Sequence, residues 1–236
     1  MIALLVVEVR HHEPLIDVRF FRSIPFASAT ILAVAAFGSL GGFLFLNTLY
    51  LQEVRGLSAL HAGLDTLPMA VMAMLTSPIS GHLVGREGSR VPLLIAGVTM
   101  VAGCAMLSDL SPTTSFSWLF GAYVLFGIGF GLVNPPITNT AVSGMPRDQA
   151  GLASGITSTA RQVGQTLGVA IVGAIVTAGV SERDHLNFAS ASHAGWWVLV
   201  GAGMVILVLG AVSTSKRALR SATRTAERIN PEWLDR

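Results

Sequence analysis

Ser154, Ser158, Arg161 and Gln165 are spaced 4, 3 and 4 residues apart within the stretch "GLASGITSTARQVGQTLG". At 3.6 residues per turn they share one stripe of a helix, with Leu152, Ile156, Val163, Leu167 and Ala170 opposite. The stretch opens a long apolar run, so its chemistry is that of a guanidinium among apolar residues. A helix that starts near Ala150 carries Arg161 about 16 Å along its axis. A charge that deep in a bilayer costs about 2.5–3.5 kcal/mol and must face a water-filled cavity or a partner. If the helix starts outside the bilayer, the long side chain reaches the surface instead. Gly151-xxx-Gly155 and Gly164-xxx-Gly168 read as surfaces for close helix packing.

Other polar residues also stand inside apolar runs. Asn134 and Asn139 flank Pro135 and Pro136 in "YVLFGIGFGLVNPPITN". The prolines free backbone carbonyls, which a neighbouring helix or a cavity must satisfy, and Asn134 is a candidate lining residue. His61 and Asp65 are i,i+4 neighbours, and an acid inside a span is a candidate proton relay. The segment "GHLVGREGSR" reads as a tight basic turn formed by Gly81, Arg86, Gly88 and Arg90. Asn47, Tyr50 and Gln52 read as anchors at a membrane interface, and Trp196 and Trp197 as part of an aromatic belt.

The elements that position these residues follow from hydropathy. Of the 236 residues, 52% are hydrophobic and 12% charged, and the mean hydropathy is +0.64. Soluble domains carry roughly a quarter charged residues, so the balance is that of a membrane protein. Six apolar runs, at about 26–50, 59–84, 91–109, 117–141, 151–179 and 195–213, are each long enough to span a bilayer. Their short polar separators imply antiparallel neighbours. The expected fold is all-α, an integral membrane six-helix bundle over 26–213. Residues 1–25 read as the tail of a preceding helix and a connector, and 214–236 as a basic tail. Arg10, Arg19, Arg22, Arg86, Arg90, Arg147 and the basic tail fall on one side, against only Arg55 and Arg183 on the other. By the positive-inside rule both termini are expected in the cytoplasm.

Several functions are excluded or disfavoured. The lone Cys104 supports neither a disulfide nor a paired-cysteine metal site. There is no metal-ligand cluster, phosphate-binding loop or nucleophile elbow, so no catalytic residues, metal or cofactor are expected. A formal charge of +2 is too small to suggest nucleic acid.

The motifs occur in a telling order. "EPLIDVRFFR", "LYLQEVRGLSALHAGLDTLP", "GHLVGREGSR", "GIGFGLVNPPIT" and "AGLASGITSTARQVGQTLGVAIVGA" together resemble the C-terminal half of a fourteen-helix drug:proton antiporter of the major facilitator superfamily, the EmrB/QacA type. The resemblance implies proton-coupled export of lipophilic compounds across a bacterial plasma membrane by alternating access. It implies a transport path lined by Ser158, Arg161, Gln165 and Asn134, and a cytoplasmic gating loop containing Gly81, Arg86, Gly88 and Arg90. Three positions depart from the family pattern: the loop acid is replaced by Gly85, Ser158 stands where the ARQ helix frequently has Asn, and Asp65 stands where the family usually has an apolar residue. The chain corresponds to only the second of two bundles. The expected partners are therefore the bilayer, lipophilic substrates, protons and a second six-helix half, either another copy or a separate N-terminal chain. The alternative is a truncated, non-transporting relic or a membrane interaction module.

Overall fold

The computed structural model describes residues 23–143, 150–179 and 188–213. The expected segments 1–25 and 214–236 lie outside them, apart from Ser23–Pro25, as do Arg147 and Arg183. The described residues form six helices and no strand: α1 (Ile24–Leu49), α2 (Ala59–Glu87), α3 (Arg90–Met106), α4 (Phe116–Val142), α5 (Ala150–Gly179) and α6 (Phe188–Ser213). A five-residue π-helical turn, Tyr50–Val54, extends α1. The six expected runs are thus six helices in the expected order. α6 begins ahead of residue 195, in the less apolar "FASASHA".

α1 with its π turn, α2, α4 and α6 are long and apolar enough to cross a membrane. α3 is apolar but has only 17 residues. α5 has 30 residues and carries the polar stripe in its first half.

The helices alternate in direction. At one end, Pro25 of α1, Glu87 of α2, Arg90 of α3, Ser143 after α4 and Ser213 of α6 surround a cavity of about 290 Å³. Arg86 and Arg90 make this the basic end. At the opposite end, the Tyr50 hydroxyl donates to the Ser111 carbonyl at 2.7 Å. Arg55 donates to the Thr114 carbonyl at 2.6 Å, and His193 Nε2 lies 3.2 Å from the Leu110 carbonyl oxygen.

Packing centres on α1 and α4. α1 lies against α5, α6 and α4, while α4 lies against α2 and α3. In a lipid-like surrounding, helix contact is stabilised by close van der Waals packing, which small residues permit. A Cβ on Gly164 would come within 2.5 Å of the Val34 carbonyl oxygen, and one on Gly168 would strike the Gly38 backbone. The expected packing role of Gly164 and Gly168 therefore holds, with α1 as the partner. Gly151 and Gly155 follow the same pattern in sequence but have no such neighbour within 4 Å. Their expected packing contact is not made among the described residues, because the first turns of α5 leave that face open.

Aromatic rings fill the middle. Phe43 of α1 stacks on Phe126 of α4 at 4.2 Å between centroids, and the Trp196 ring meets Phe43 edge-on at 5.6 Å. Trp196 is fully buried, so its expected place in an aromatic belt is wrong, whereas Trp197 is 60% exposed. The expected interface roles of Asn47 and Tyr50 also fail. Both are buried, and the Tyr123 hydroxyl donates to Asn47 Oδ1. α1 turns these residues towards α4 and the α3–α4 loop, where each finds a polar partner.

The proline pair does not interrupt α4. Pro136 has no N–H to offer the Leu132 carbonyl four residues back. Ser80 of α2, fully buried, donates to that carbonyl at 2.6 Å. The freed group is satisfied by a neighbouring helix, one of the two outcomes open from the sequence.

Two consequences follow for stability. Gly168→Leu should force α5 off α1 and cost about 1–3 kcal/mol, while Gly155→Leu leaves thermal unfolding in detergent unchanged. Equal losses in the two variants would contradict the packing. Tyr123→Phe should cost about 1–2 kcal/mol by leaving a buried acceptor unpaired. In a double-mutant cycle by denaturant titration, its effect should be non-additive with Asn47→Ala.

Candidate functional site

The starting point is α5, which begins at Ala150 and places Arg161 three turns inside. Helical side chains lean towards their own N terminus. The Arg161 guanidinium accordingly reaches back towards the basic end and donates from Nη2 to Thr138 Oγ1 on α4 at 2.8 Å. On the way it lies over the ring of Phe37 on α1, 5.5 Å from the centroid. That distance is within the range of cation–π attraction. Phe37 in turn meets Phe130 of α4 edge-on at 5.4 Å. Arg161 thus bridges α5 to α4 across α1, although α5 itself touches α4 little.

The rest of the stripe is open. Ser158 and Gln165 are exposed on the same face as Arg161 and make no side-chain hydrogen bond among the described residues. Gln165 contributes its backbone instead, lying where a Cβ on Gly41 would come within 2.5 Å of its carbonyl oxygen.

Asn134 is half-buried and donates to the Phe130 carbonyl of its own helix at 3.2 Å. It does not meet Arg161. Thr138, one turn further along α4, takes that place. Phe130, Asn134 and Thr138 are each four residues apart, so they form one stripe of α4. Sequence reasoning does not single out Phe37, Phe130 or Thr138. The i,i+4 spacing on α4 is the one available signal for Phe130 and Thr138, and nothing in the sequence links Phe37 to Arg161.

Arg161 has no acidic partner among the described residues. Glu53, Asp65, Glu87 and Asp109 are the acids there, all close to helix ends. The Arg161 Nε is buried and without a hydrogen-bond partner.

The His61–Asp65 pair sits at the opposite end. Ser58 caps α2, and its Oγ accepts from the His61 backbone N–H at 3.3 Å and lies 2.8 Å from His61 Nδ1. His61 is exposed and Asp65 half-buried one to two turns into α2. No bond joins the two side chains among the described residues.

The expected basic turn is smaller than its sequence. α2 continues through Glu87, so Gly81 and Arg86 are helical and exposed, not part of a turn. The helix runs on through Gly85, and the Gly88 N–H still donates to the Val84 carbonyl at 3.1 Å before the chain turns there, with φ +79. Ser89 follows, and Arg90 begins α3. Arg86 and Arg90 are exposed and make no hydrogen bond or ion pair among the described residues. Ser89 Oγ accepts from Asn139 Nδ2 at 3.0 Å, joining this turn to α4. No group of three or more metal-ligating side chains occurs among the described residues.

Thr138→Val keeps the side-chain shape and removes the Arg161 acceptor. It should speed modification of Arg161 by a guanidine-directed dicarbonyl reagent, followed by peptide mass spectrometry. Unchanged labelling would mean that the bond does not hold the side chain.

Comparison with known proteins gives a consistent pattern. The family model described as Major Facilitator Superfamily matches residues 6–169. The chain is 37% identical over 174 residues to the multidrug resistance protein Stp of Mycobacterium tuberculosis, covering 74% of this chain and 32% of that protein. It is 35% identical over 176 residues to the tetracenomycin C resistance and export protein of Streptomyces glaucescens, covering 74% and 32%. It is 30% identical over 208 residues to the quinolone resistance protein NorB of Staphylococcus aureus, covering 87% and 44%. The chain therefore spans between about a third and under half the length of the curated relatives it matches.

Proposed function

Because this chain belongs to the Major Facilitator Superfamily, a family of transporters and not of enzymes, we propose that it forms the second six-helix bundle of a bacterial multidrug exporter. The reading is of a multi-pass protein of the plasma membrane that moves lipophilic compounds outward in exchange for protons, by alternating access. The basic end, with Arg86 and Arg90, faces the cytoplasm, in keeping with the positive-inside rule. The similarity to proteins named for multidrug, tetracenomycin C and quinolone resistance supports export as the activity.

The observation that carries the proposal is the open polar face of α5. A helix of 30 residues presents Ser158, Arg161 and Gln165 outward from the bundle, with Arg161 held by Thr138 and Phe37. Exposure of such a face to lipid is costly. A transport path between this bundle and a second six-helix half, from another copy or a separate N-terminal chain, resolves that cost. In such transporters the substrate site lies near the midplane at the interface between repeats. Asn134 and Thr138 of α4 stand beside the same face. Asp65, with His61 one turn away, is the proposed proton-carrying group.

The rival reading is a membrane interaction module without transport. One observation favours it: Gly85 leaves Arg86 and Arg90 with no acid to latch, and neither is paired among the described residues.

Arg161→Ala separates the two readings. In vesicles containing this chain and a candidate second half, proton-driven dye flux should fall at least tenfold while the membrane-inserted amount stays within about twofold. Parallel loss of insertion and flux would assign Arg161 a structural role. Absence of proton-dependent flux with every partner would favour the rival.

A further inference from the structure

We infer that the apolar segment at residues 2–9, "IALLVVEV", seats in an open groove between α1 and the first half of α5. The inference stands apart from the transport reading, because the groove lies on the flank of α5 away from Arg161.

The groove holds about 600 Å³ between Thr30 and Val34 of α1 and Leu152, Gly155, Ile156 and Val163 of α5. On α5 these residues lie to one side of the line that packs on α1, and Ser158, Arg161 and Gln165 lie to the other. No residue of α6 lines the groove. α6 runs beside α3, from His193 at Leu110 to Gly210 at Leu93. It closes on α5 near the outer end, where Gly195 packs against Val172. Towards the basic end this flank of α5 is left uncovered. A Cβ on Gly151 or Gly155 would meet nothing there within 4 Å. The groove also asks for no polar partner. The Thr30 hydroxyl donates to the Phe26 carbonyl at 3.1 Å. The hydroxyl of Thr159, which also lines the groove, donates to the Gly155 carbonyl at 3.1 Å.

Residues 2–9 fit this groove in pattern, length and depth. Ile2, Leu5, Val6 and Val9 are spaced as one apolar face of a helix. As a helix the segment rises about 12 Å, far short of the roughly 20 residues that cross a bilayer. Its apolar face therefore needs a protein surface within one half of the membrane. The groove runs about 18 Å from Gly151 to Val163, and its mouth is at the basic end, where α1 begins at Ile24. Residues 10–22 extend to at most about 45 Å, ample to return from that mouth to α1. Open glycine backbone favours a helix over a lipid chain as occupant, since small residues let helices approach closely.

The test is disulfide mapping in the full chain, one chain per nanodisc. Leu5→Cys is paired in turn with Leu152→Cys, Ile156→Cys, Thr159→Cys and Val163→Cys. The control pairs it with Met74→Cys on α2, which is 76% exposed. Cys104 is fully buried and is kept. Under mild oxidation, with linked peptides identified by mass spectrometry, at least one groove pair should link about tenfold faster than the control. If all four link no faster than the control, the inference is overturned and the groove is left to lipid. With two chains per disc, one isotope-labelled, links between chains in place of links within one would assign the groove to a second copy and overturn it equally. Gly155→Leu should slow the fastest pair at least fivefold while thermal unfolding of the six helices stays unchanged. Undiminished linking in that variant would show that the segment sits elsewhere.

Discussion

Where Gly38 of α1 meets Gly164 and Gly168 of α5, backbone lies directly on backbone. Any side chain larger than hydrogen at Gly164 or Gly168 would push the helices apart. This contact sets both the distance and the rotation of α5. With Gly168 turned inward, the stripe of Ser158, Arg161 and Gln165 is left at the rim of the contact, neither buried in it nor opposite to it. The Arg161 side chain then has one short route to a polar partner, over Phe37 to Thr138. A substitution that separated α5 from α1 would therefore displace the guanidinium without touching it.

The bundle handles its polar groups by pairing them across helices. Ser80 of α2 serves the carbonyl that Pro136 frees in α4. Tyr123 of α4 serves Asn47 of α1. Thr138 of α4 serves Arg161 of α5. α4 takes part in all three, with a different neighbour each time, which fits its position between α2, α3 and α1. In a surrounding that offers no water, each such bond fixes the rotation of a helix about its axis as well as adding modest stability.

How much of this is legible in the sequence depends on whether a residue's meaning is local. Apolar runs and short polar separators are local, and they reveal the six helices and their order. The stripe on α5 is also local, since it needs only a period of 3.6. Contacts between distant helices are not. Thr138 carries no mark that distinguishes it from other threonines in apolar helices, so Asn134, beside the proline pair, stands out in its place. Asn47, Tyr50 and Trp196 lie near helix ends, where amphipathic side chains commonly meet an interface. Their burial depends on which way each helix faces, and that is not encoded in their own neighbourhood. The glycine pairs make the same point. Gly151-xxx-Gly155 and Gly164-xxx-Gly168 look alike as text, yet α1 covers only the second. The basic turn lies where the sequence puts it but is shorter, because Gly81 and Gly85 are compatible with a helix that continues to Glu87.

The π-helical turn at Tyr50–Val54 constrains how this chain can drift in evolution. The Arg55 N–H reaches back five residues to the Tyr50 carbonyl, at 3.0 Å, so the turn holds one residue more than an α-helical turn. The extra residue aims Tyr50 and Arg55 together at the α3–α4 loop. Loss of any one residue between them would close the turn as ordinary α-helix and carry Arg55 about 100° around the axis, away from Thr114. Leu51 is buried in the core and Val54 packs against it, whereas Gln52 and Glu53 are open enough to be exchanged without moving that aim. The segment thus tolerates substitution at those two positions and does not tolerate insertion or deletion, so its length should vary less among descendants of this gene than the letters at 52 and 53 do.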